Sequence, residues 1–107
     1  MGLTFKENCP DLRNTRVIDV INELKEYHVE VDVYDPWVDA AEAQHEYGIT
    51  PISEPKAGSY QGVILAVGHK QFKDMGEQGI RALGCGTDCV IYDLKYVTPA
   101  NTPDLRL

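Results

Sequence analysis

"GLTFKENCPDLRNTRVIDVINELK", Gly2 to Lys25, runs from a short apolar piece through a polar loop into a segment with helical periodicity. It reads as the end of a β-strand, a turn and the start of an α-helix, which is the unit from which parallel α/β sheets are built. "LTF" is too short to cross a sheet, where strands usually take about five or six residues, so the first strand is expected to be truncated and Met1 to cut into it. Val17, Ile21 and Leu24, with Ile18 and Val20 beside them, set an apolar stripe at helical spacing, and Asp11 or Asn14 can cap that helix. Lys6, Arg13 and Arg16 put three of the chain's ten Lys and Arg around this one turn.

The same alternation of elements continues. "VEVDVYDP", Val29 to Pro36, alternates apolar and polar residues as a half-buried edge strand does, and Pro36 ends it. "WVDAAEAQHEYG" reads as a short helix closed by Gly48. Residues 49–61 carry two prolines and Gly58 and are expected to form a loop with at most a short strand. "GVILAV", Gly62 to Val67, and "CVIYDL", Cys89 to Leu94, are continuous apolar runs of the kind covered on both faces of a parallel sheet. "HKQFKDMGEQGIRALG" between them is helical despite Gly76 and Gly79, and the Pro-rich tail from Thr98 is extended. The expected fold class is α/β: a small doubly wound, Rossmann-like parallel sheet with helices on both faces and a truncated first strand. The expected strand order is 29–34, 2–5, 62–67, 89–94. With 107 residues the chain forms a single domain, residues 1–107, large enough to fold without disulfide or metal staples.

Composition narrows the function. Ten Lys and Arg against seventeen Asp and Glu give a net charge of −7, which excludes a general nucleic-acid or anionic-membrane surface. The sequence has neither an apolar run long enough to span a bilayer nor a secretory leader, so the expected location is the cytoplasm. Cys9, Cys85 and Cys89 are an odd set with no ligand-like spacing, so no metal site is expected. In doubly wound folds ligands gather outside the C-terminal ends of the strands, and a helix N-terminus there favours phosphate. The Lys6–Arg13 loop lies at such an end. The competing reading is that Lys6 and Arg13 are solvated loop charges, or that Arg13 pairs with Asp11. No G-x-G-x-x-G follows the first strand, so the domain is not a self-sufficient dinucleotide site; Asp35, before Pro36, is read as a strand-ending turn. His69 follows a strand end, where it could touch a ligand or act as a base, but it reads more simply as a surface residue capping the loop before a helix; Trp37 reads as a packing anchor. No catalytic residue is expected in this chain, since neither Cys9 nor any His has a suggested partner.

The motifs "GLTFKENCPDLRNTRVIDVINEL", "VDVYDPWVD", "VILAVGHKQFK" and "VIYDLKYV", in this order, resemble the C-terminal, UDP-binding domain of the UDP-glucose/GDP-mannose dehydrogenase family. The "FKENCPDLRNT" form is most similar to the Vi-antigen-type branch that acts on UDP-N-acetylhexosamines. The resemblance implies an NAD-dependent, two-step oxidation of the sugar C6 alcohol to a carboxylate, for surface polysaccharide synthesis. It implies that the dinucleotide fingerprint and the catalytic cysteine lie in another part of a larger, homo-oligomeric dehydrogenase, so that this chain alone is inactive. It implies that Phe5 and Lys6 contact the UDP-sugar and that Arg13 reaches the NAD held mainly by the other domain. Lys95 of "YDLK" stands where many members have a substrate-contacting arginine, keeping the charge but losing the bidentate fork. A stand-alone flavodoxin-like binding or regulatory module is the alternative reading.

Overall fold

The computed structural model describes residues 1–13, 15–86, 89–95 and 97–98, together with the backbone of 105–106. Three helices and three strands follow in chain order: α1 (Val17–Glu26), α2 (Ala40–Tyr47), β1 (Gly62–Leu65), α3 (Lys70–Arg81), β2 (Val90–Asp93) and β3 (Leu105–Arg106). The sheet order is β1-β2-β3 and both pairings are parallel, with Leu65 opposite Asp93 and Asp93 opposite Arg106. Both long apolar runs are therefore strands, shorter by two residues each than the apolar runs themselves.

The two faces of β1 carry different cores. Val63 and Leu65 join Ile91 of β2 and Phe72 and Ile80 of α3 in one buried cluster. Ile64 and Ala66 point the other way, toward Val17, Val20, Ile21 and Leu24 of α1. Ile21 also belongs to a second cluster, with Leu3, Leu12, Val33, Ala43 of α2 and Ile49. Helices thus cover both faces of a parallel sheet, as the fold class requires.

Helix ends follow local chemistry, with one surprise. Asp39 caps α2, its Oδ1 accepting from Ala41 N and Glu42 N, and Gly48 closes the helix in the left-handed conformation at φ 67°. In α3, Gly76 stands at φ 68° and ψ 179°, a break that a residue with a Cβ would resist, so the expected single helix is kinked there. The expected Asp11 cap of α1 does not form: Arg16 is the N-cap residue and makes no side-chain cap bond, while Asp11 is engaged with Arg13. Asn14, the other expected cap, lies outside the described residues.

The two outer strands expected at 2–5 and 29–34 are corrected. Neither becomes a regular strand, and residues 4–6 bend instead. The chain nevertheless passes between the expected neighbours. Gly2 N–H donates to Tyr34 O at 2.8 Å, while the Met1 amino group donates to Ile64 O and Ala66 N–H to Met1 O at 2.9 Å. Those bonds put 33–34, 1–2 and β1 side by side, but two residues of contact are too few for a ladder. Gly2 is confined at this crossing: its φ is +96°, and a Cβ on it would lie 2.6 Å from Val67 Cβ. Below Met1, between residues 29–33 and β1, an apolar cleft of about 230 Å³ is roofed by α1. Phe5, Lys6, Arg13 and Lys95 do not line it.

Candidate functional site

The loop that carries the first cations is closed on itself. Phe5 N–H donates to Asp11 O at 2.7 Å, and Leu12 drops into the second core cluster with no more than 1% exposure. Buried Thr15 donates its hydroxyl to Leu3 O at 2.7 Å and accepts Val17 N–H at 3.3 Å, which ties the loop's exit to the start of α1. What remains outside is the rim: Phe5, Lys6, Glu7 and Asn8 are exposed.

Beneath that rim sits a buried polar cluster. Asp35 Oδ2 accepts Leu3 N–H at 2.7 Å, Thr4 N–H at 3.0 Å and His69 Nε2 at 2.9 Å, while Oδ1 accepts Trp37 N–H at 2.8 Å. Burial pushes this carboxyl up, but the bonds from His69, Leu3, Thr4 and Trp37 outweigh it and hold the carboxyl below the usual aspartate range. His69, whose side chain is fully buried, also meets Thr4 Oγ1 at 3.1 Å through Nε2 and accepts Asn8 N–H at 2.9 Å through Nδ1. Its ring stacks obliquely against Phe72 and Trp37, at centroid distances of 5.3 and 6.4 Å.

Both residues depart from the sequence reading. His69 is not a surface residue, because the chain beyond β1 carries it, four residues past Leu65, into the point where three chain segments meet. Asp35 does end its segment in a turn through Trp37 N–H, but three of its four bonds go to residues more than thirty positions away. The available signal was a histidine and an aspartate each placed just after an apolar run expected to be a neighbouring strand. Trp37 is 37% exposed, and its indole N–H donates to Gln71 at 3.1 Å, so it bridges to α3 rather than filling a core.

At the end of β2 a second aspartate organises the neighbouring turn. Asp93 Oδ1 accepts Lys95 N–H at 3.1 Å and Val97 N–H at 3.0 Å, and Oδ2 accepts the Thr98 N–H and hydroxyl at 2.9 and 2.8 Å. Burial raises this carboxyl, and the bonds from Thr98, Val97 and Lys95 bring it below its ordinary value. The turn sets exposed Lys95 beside Gly68: a Cβ on that glycine would lie 3.7 Å from Lys95 Cβ and 4.0 Å from Lys73 Cε.

The rim of β1 therefore receives Lys95 at residue 68 and the Lys6 loop at residue 69. Among the described residues, neither the Lys6 nor the Lys95 ammonium has a carboxylate within ion-pair distance, nor does that of Lys73. Lys70 is paired with Asp74 at 3.0 Å. In a chain of net charge −7 this is a local concentration of uncompensated positive charge, a physical basis for holding an anion. Arg13 stands apart from that group. Asp11 holds its Nε at 3.0 Å and its Nη2 at 3.3 Å, and the side chain stays 84% exposed. The alternative considered from the sequence, an Asp11–Arg13 pair, is the one present. Hydrogen bonding to Arg13 keeps the Asp11 carboxyl below its usual range.

Two further chemistries find little here. Cys9 is half-buried, and among the described residues no group of three or more His, Cys, Asp and Glu is arranged to hold a metal ion. Also among them, no helix is long and apolar enough to cross a membrane.

The model of the UDP-glucose/GDP-mannose dehydrogenase family, UDP binding domain, matches residues 1–100. The whole chain is 60% identical to a UDP-N-acetyl-D-glucosamine 6-dehydrogenase of Pseudomonas aeruginosa and 58% identical to one of Salmonella typhi, covering 25% of each. It is 42% identical over 98 residues to the protein CapL of Staphylococcus aureus, covering 22% of it. The chain thus spans about a quarter of the length of these relatives.

Proposed function

This chain belongs to the UDP-glucose/GDP-mannose dehydrogenase family, and from that premise we propose that it is the UDP-sugar-binding domain of a longer, NAD-dependent nucleotide-sugar 6-dehydrogenase. The substrate we assign is a UDP-N-acetylhexosamine, since two of the similar proteins are UDP-N-acetyl-D-glucosamine 6-dehydrogenases. The observation that carries the reading is the exposed, uncompensated pair Lys6 and Lys95, brought to one strand end by Asp93 and by the loop on His69. Each ammonium can donate to the diphosphate, and Phe5, 56% exposed beside Lys6, offers an apolar surface to the same ligand.

NAD, when bound, supplies the hydride acceptor for the two oxidations that take the sugar C6 alcohol to a carboxylate. The residues here do not form a cradle for it, because the turn after Gly2 lacks the glycines that let backbone approach a pyrophosphate. The chain's contribution to NAD is Arg13, whose exposed guanidinium can reach a phosphate held by another domain. Catalysis is assigned to that other part of a cytoplasmic, homo-oligomeric enzyme, and the 107-residue chain by itself turns over no UDP-sugar.

The test is a nuclear magnetic resonance titration of the 107-residue chain with UDP. Amides of residues 5–13 and of Lys95 are expected to shift together at millimolar UDP, with inorganic phosphate far weaker. Shifts confined to the apolar cleft under α1, or none at all, would refute the assignment. Sub-micromolar affinity would refute the view that the site is shared with another domain.

A further inference from the structure

We infer that His69 is a positioning residue for the nucleotide-binding rim: held in its neutral Nε2–H form by Asp35, it takes the Asn8 amide and so fixes where the Lys6 loop stands. This rests on the function proposed above for that loop. The side chain is fully buried, so it cannot touch a ligand on the rim, and it acts only through what it holds.

The tautomer follows from the donors around the ring. Asn8 N–H points at Nδ1 from 2.9 Å, so Nδ1 has to be the unprotonated, accepting nitrogen. The one ring proton then lies on Nε2, directed between Asp35 Oδ2 at 2.9 Å and Thr4 Oγ1 at 3.1 Å. Asp35, its carboxyl held below the usual range, accepts three backbone N–H groups, which fix its oxygens independently of the ring. The pair is therefore a donor bond from a neutral imidazole to a carboxylate, rather than an ion pair.

Asn8 completes the tie from the other side. It stands at φ 55°, a left-handed conformation that asparagine tolerates better than most residues. In that conformation its amide reaches His69 while its side-chain Oδ1 accepts Lys70 N–H at 2.8 Å. Lys70 is the first residue of α3, and the α3 N-cap, His69, makes no side-chain cap bond of its own. Asn8 thus caps the helix across the loop, and loop and helix start each satisfy a group of the other. Thr4 Oγ1 donates to Lys6 O at 3.2 Å, so the backbone is fastened at residue 6 as well as at residue 8, while the Lys6 ammonium stays outside. A binding loop ordered in advance loses less entropy when its ligand arrives, and this is the gain assigned to the tie.

The experiment uses the 15N-labelled chain, with long-range proton–nitrogen spectra of the His69 ring and a UDP titration followed at the loop amides. The variants are His69→Phe, which keeps ring bulk without donor or acceptor, His69→Gln, whose amide supplies one of each, and Asn8→Ala. The expected ring pattern is Nε2–H, and His69→Phe is expected to weaken UDP about fivefold by loosening the loop. His69→Gln should recover part of that loss, and Asn8→Ala should weaken UDP about twofold through the lost Oδ1 bond. If His69→Phe does not fold, His69→Gln carries the comparison, because Asn8→Ala removes the Oδ1 bond to Lys70 N–H but keeps the backbone amide bonded to the ring. A proton on Nδ1, or unchanged UDP affinity in every folded variant, would overturn the inference. If UDP moved no loop amide in the unsubstituted chain while the ring kept the Nε2–H pattern, the nucleotide reading of the rim would fall. The tie would then be confirmed as structural alone, with no role in binding.

Discussion

Asp35 and Asp93 are the same residue type at the same kind of place, buried just beyond an extended segment, and both carboxyls are held below the ordinary aspartate range against the cost of burial. Their partners differ. The bonds of Asp93 include those from Lys95, Val97 and Thr98, all within five residues of it. Asp35 is bonded to Leu3, Thr4, Trp37 and His69, which come from three separate parts of the chain. The first aspartate shapes a turn and thereby aims one lysine. The second exists as a bonded group only when the first segment, its own segment and the residue after β1 have met, and what it supports is a whole loop. The turn bonds of Asp93 need only neighbouring residues, whereas three of the four bonds of Asp35 need distant segments brought together.

The largest expected effect breaks this contrast most directly. Asp35→Ala strands the Leu3, Thr4 and Trp37 amides and the His69 ring proton, which are largely buried. Each buried group left without its partner costs about 1–3 kcal/mol, and several are stranded at once, against a total stability of about 5–15 kcal/mol for a domain. Asp93→Ala should cost less, about 1–3 kcal/mol, because exposed Lys95 and half-buried Val97 lie where water can reach their amides. Urea unfolding of the two variants measures both. Equal losses would mean that sequence distance between partners has no bearing on what these aspartates contribute.

The same contrast separates what was legible in the sequence from what was not. β1 and β2 were legible because continuous apolar runs need only their own composition to declare buried strands, and α2 because Asp39 and Gly48 are local signals. The expected strand at 29–34 was misread for a non-local reason. Its alternation is real, but among the described residues its contact with β1 runs through Met1 and Gly2, and two residues of contact make no ladder. His69 was misplaced on the surface for the same reason, since its burial depends on Asp35 and Asn8, thirty-four and sixty-one positions away. At the rim, the resemblance pointed to Lys6, Lys95, Phe5 and Arg13 through their motifs. Lys73 ends the motif "VILAVGHKQFK" but was given no role by it; the first turn of α3 sets it beside Gly68, where Lys95 also lies.

The next prediction moves from stability to binding. In the longer dehydrogenase, Lys6→Ala is expected to weaken the UDP-sugar by about 1.5–3 kcal/mol, the usual range for a hydrogen bond to a charged group. Steady-state kinetics would show this as a higher KM for the UDP-sugar. Because Lys6 is exposed and makes no ion pair among the described residues, the fold itself should be untouched. A KM that stayed put would remove Lys6 from the site.

Acid sharpens the comparison between the aspartates without removing either. Each has a folded-state carboxyl below its unfolded value, so in that window the unfolded chain binds more protons and stability rises with pH. The contribution is fully present above the unfolded aspartate value of about 3.9 and is lost as pH falls through the lower folded value. Urea midpoints measured across this acid range should fall, and Asp35→Asn and Asp93→Asn should each flatten the fall. A slope that neither substitution altered would show that the acid response comes from other carboxylates.

The smallest effect belongs to Arg13, where the contrast is between an exposed pair and the buried Asp35–His69 bond. Asp11 and Arg13 are two residues apart, the guanidinium is 84% exposed, and both partners keep their hydration. Such pairs add little, because solvent screens the attraction and two side chains must be held in one geometry. Arg13→Ala should therefore leave the urea midpoint of the chain unchanged within error, while losing the guanidinium bonds that do most to hold Asp11 below its usual range and keeping the backbone N–H bond of residue 13. In the longer enzyme the same substitution should raise the KM for NAD and leave that for the UDP-sugar nearly constant, opposite in pattern to Lys6→Ala. The two variants together divide the rim into a substrate side and a cofactor side. If Arg13→Ala shifted the urea midpoint and left the KM for NAD alone, its pairing with Asp11 would be its function and the cofactor role would be withdrawn.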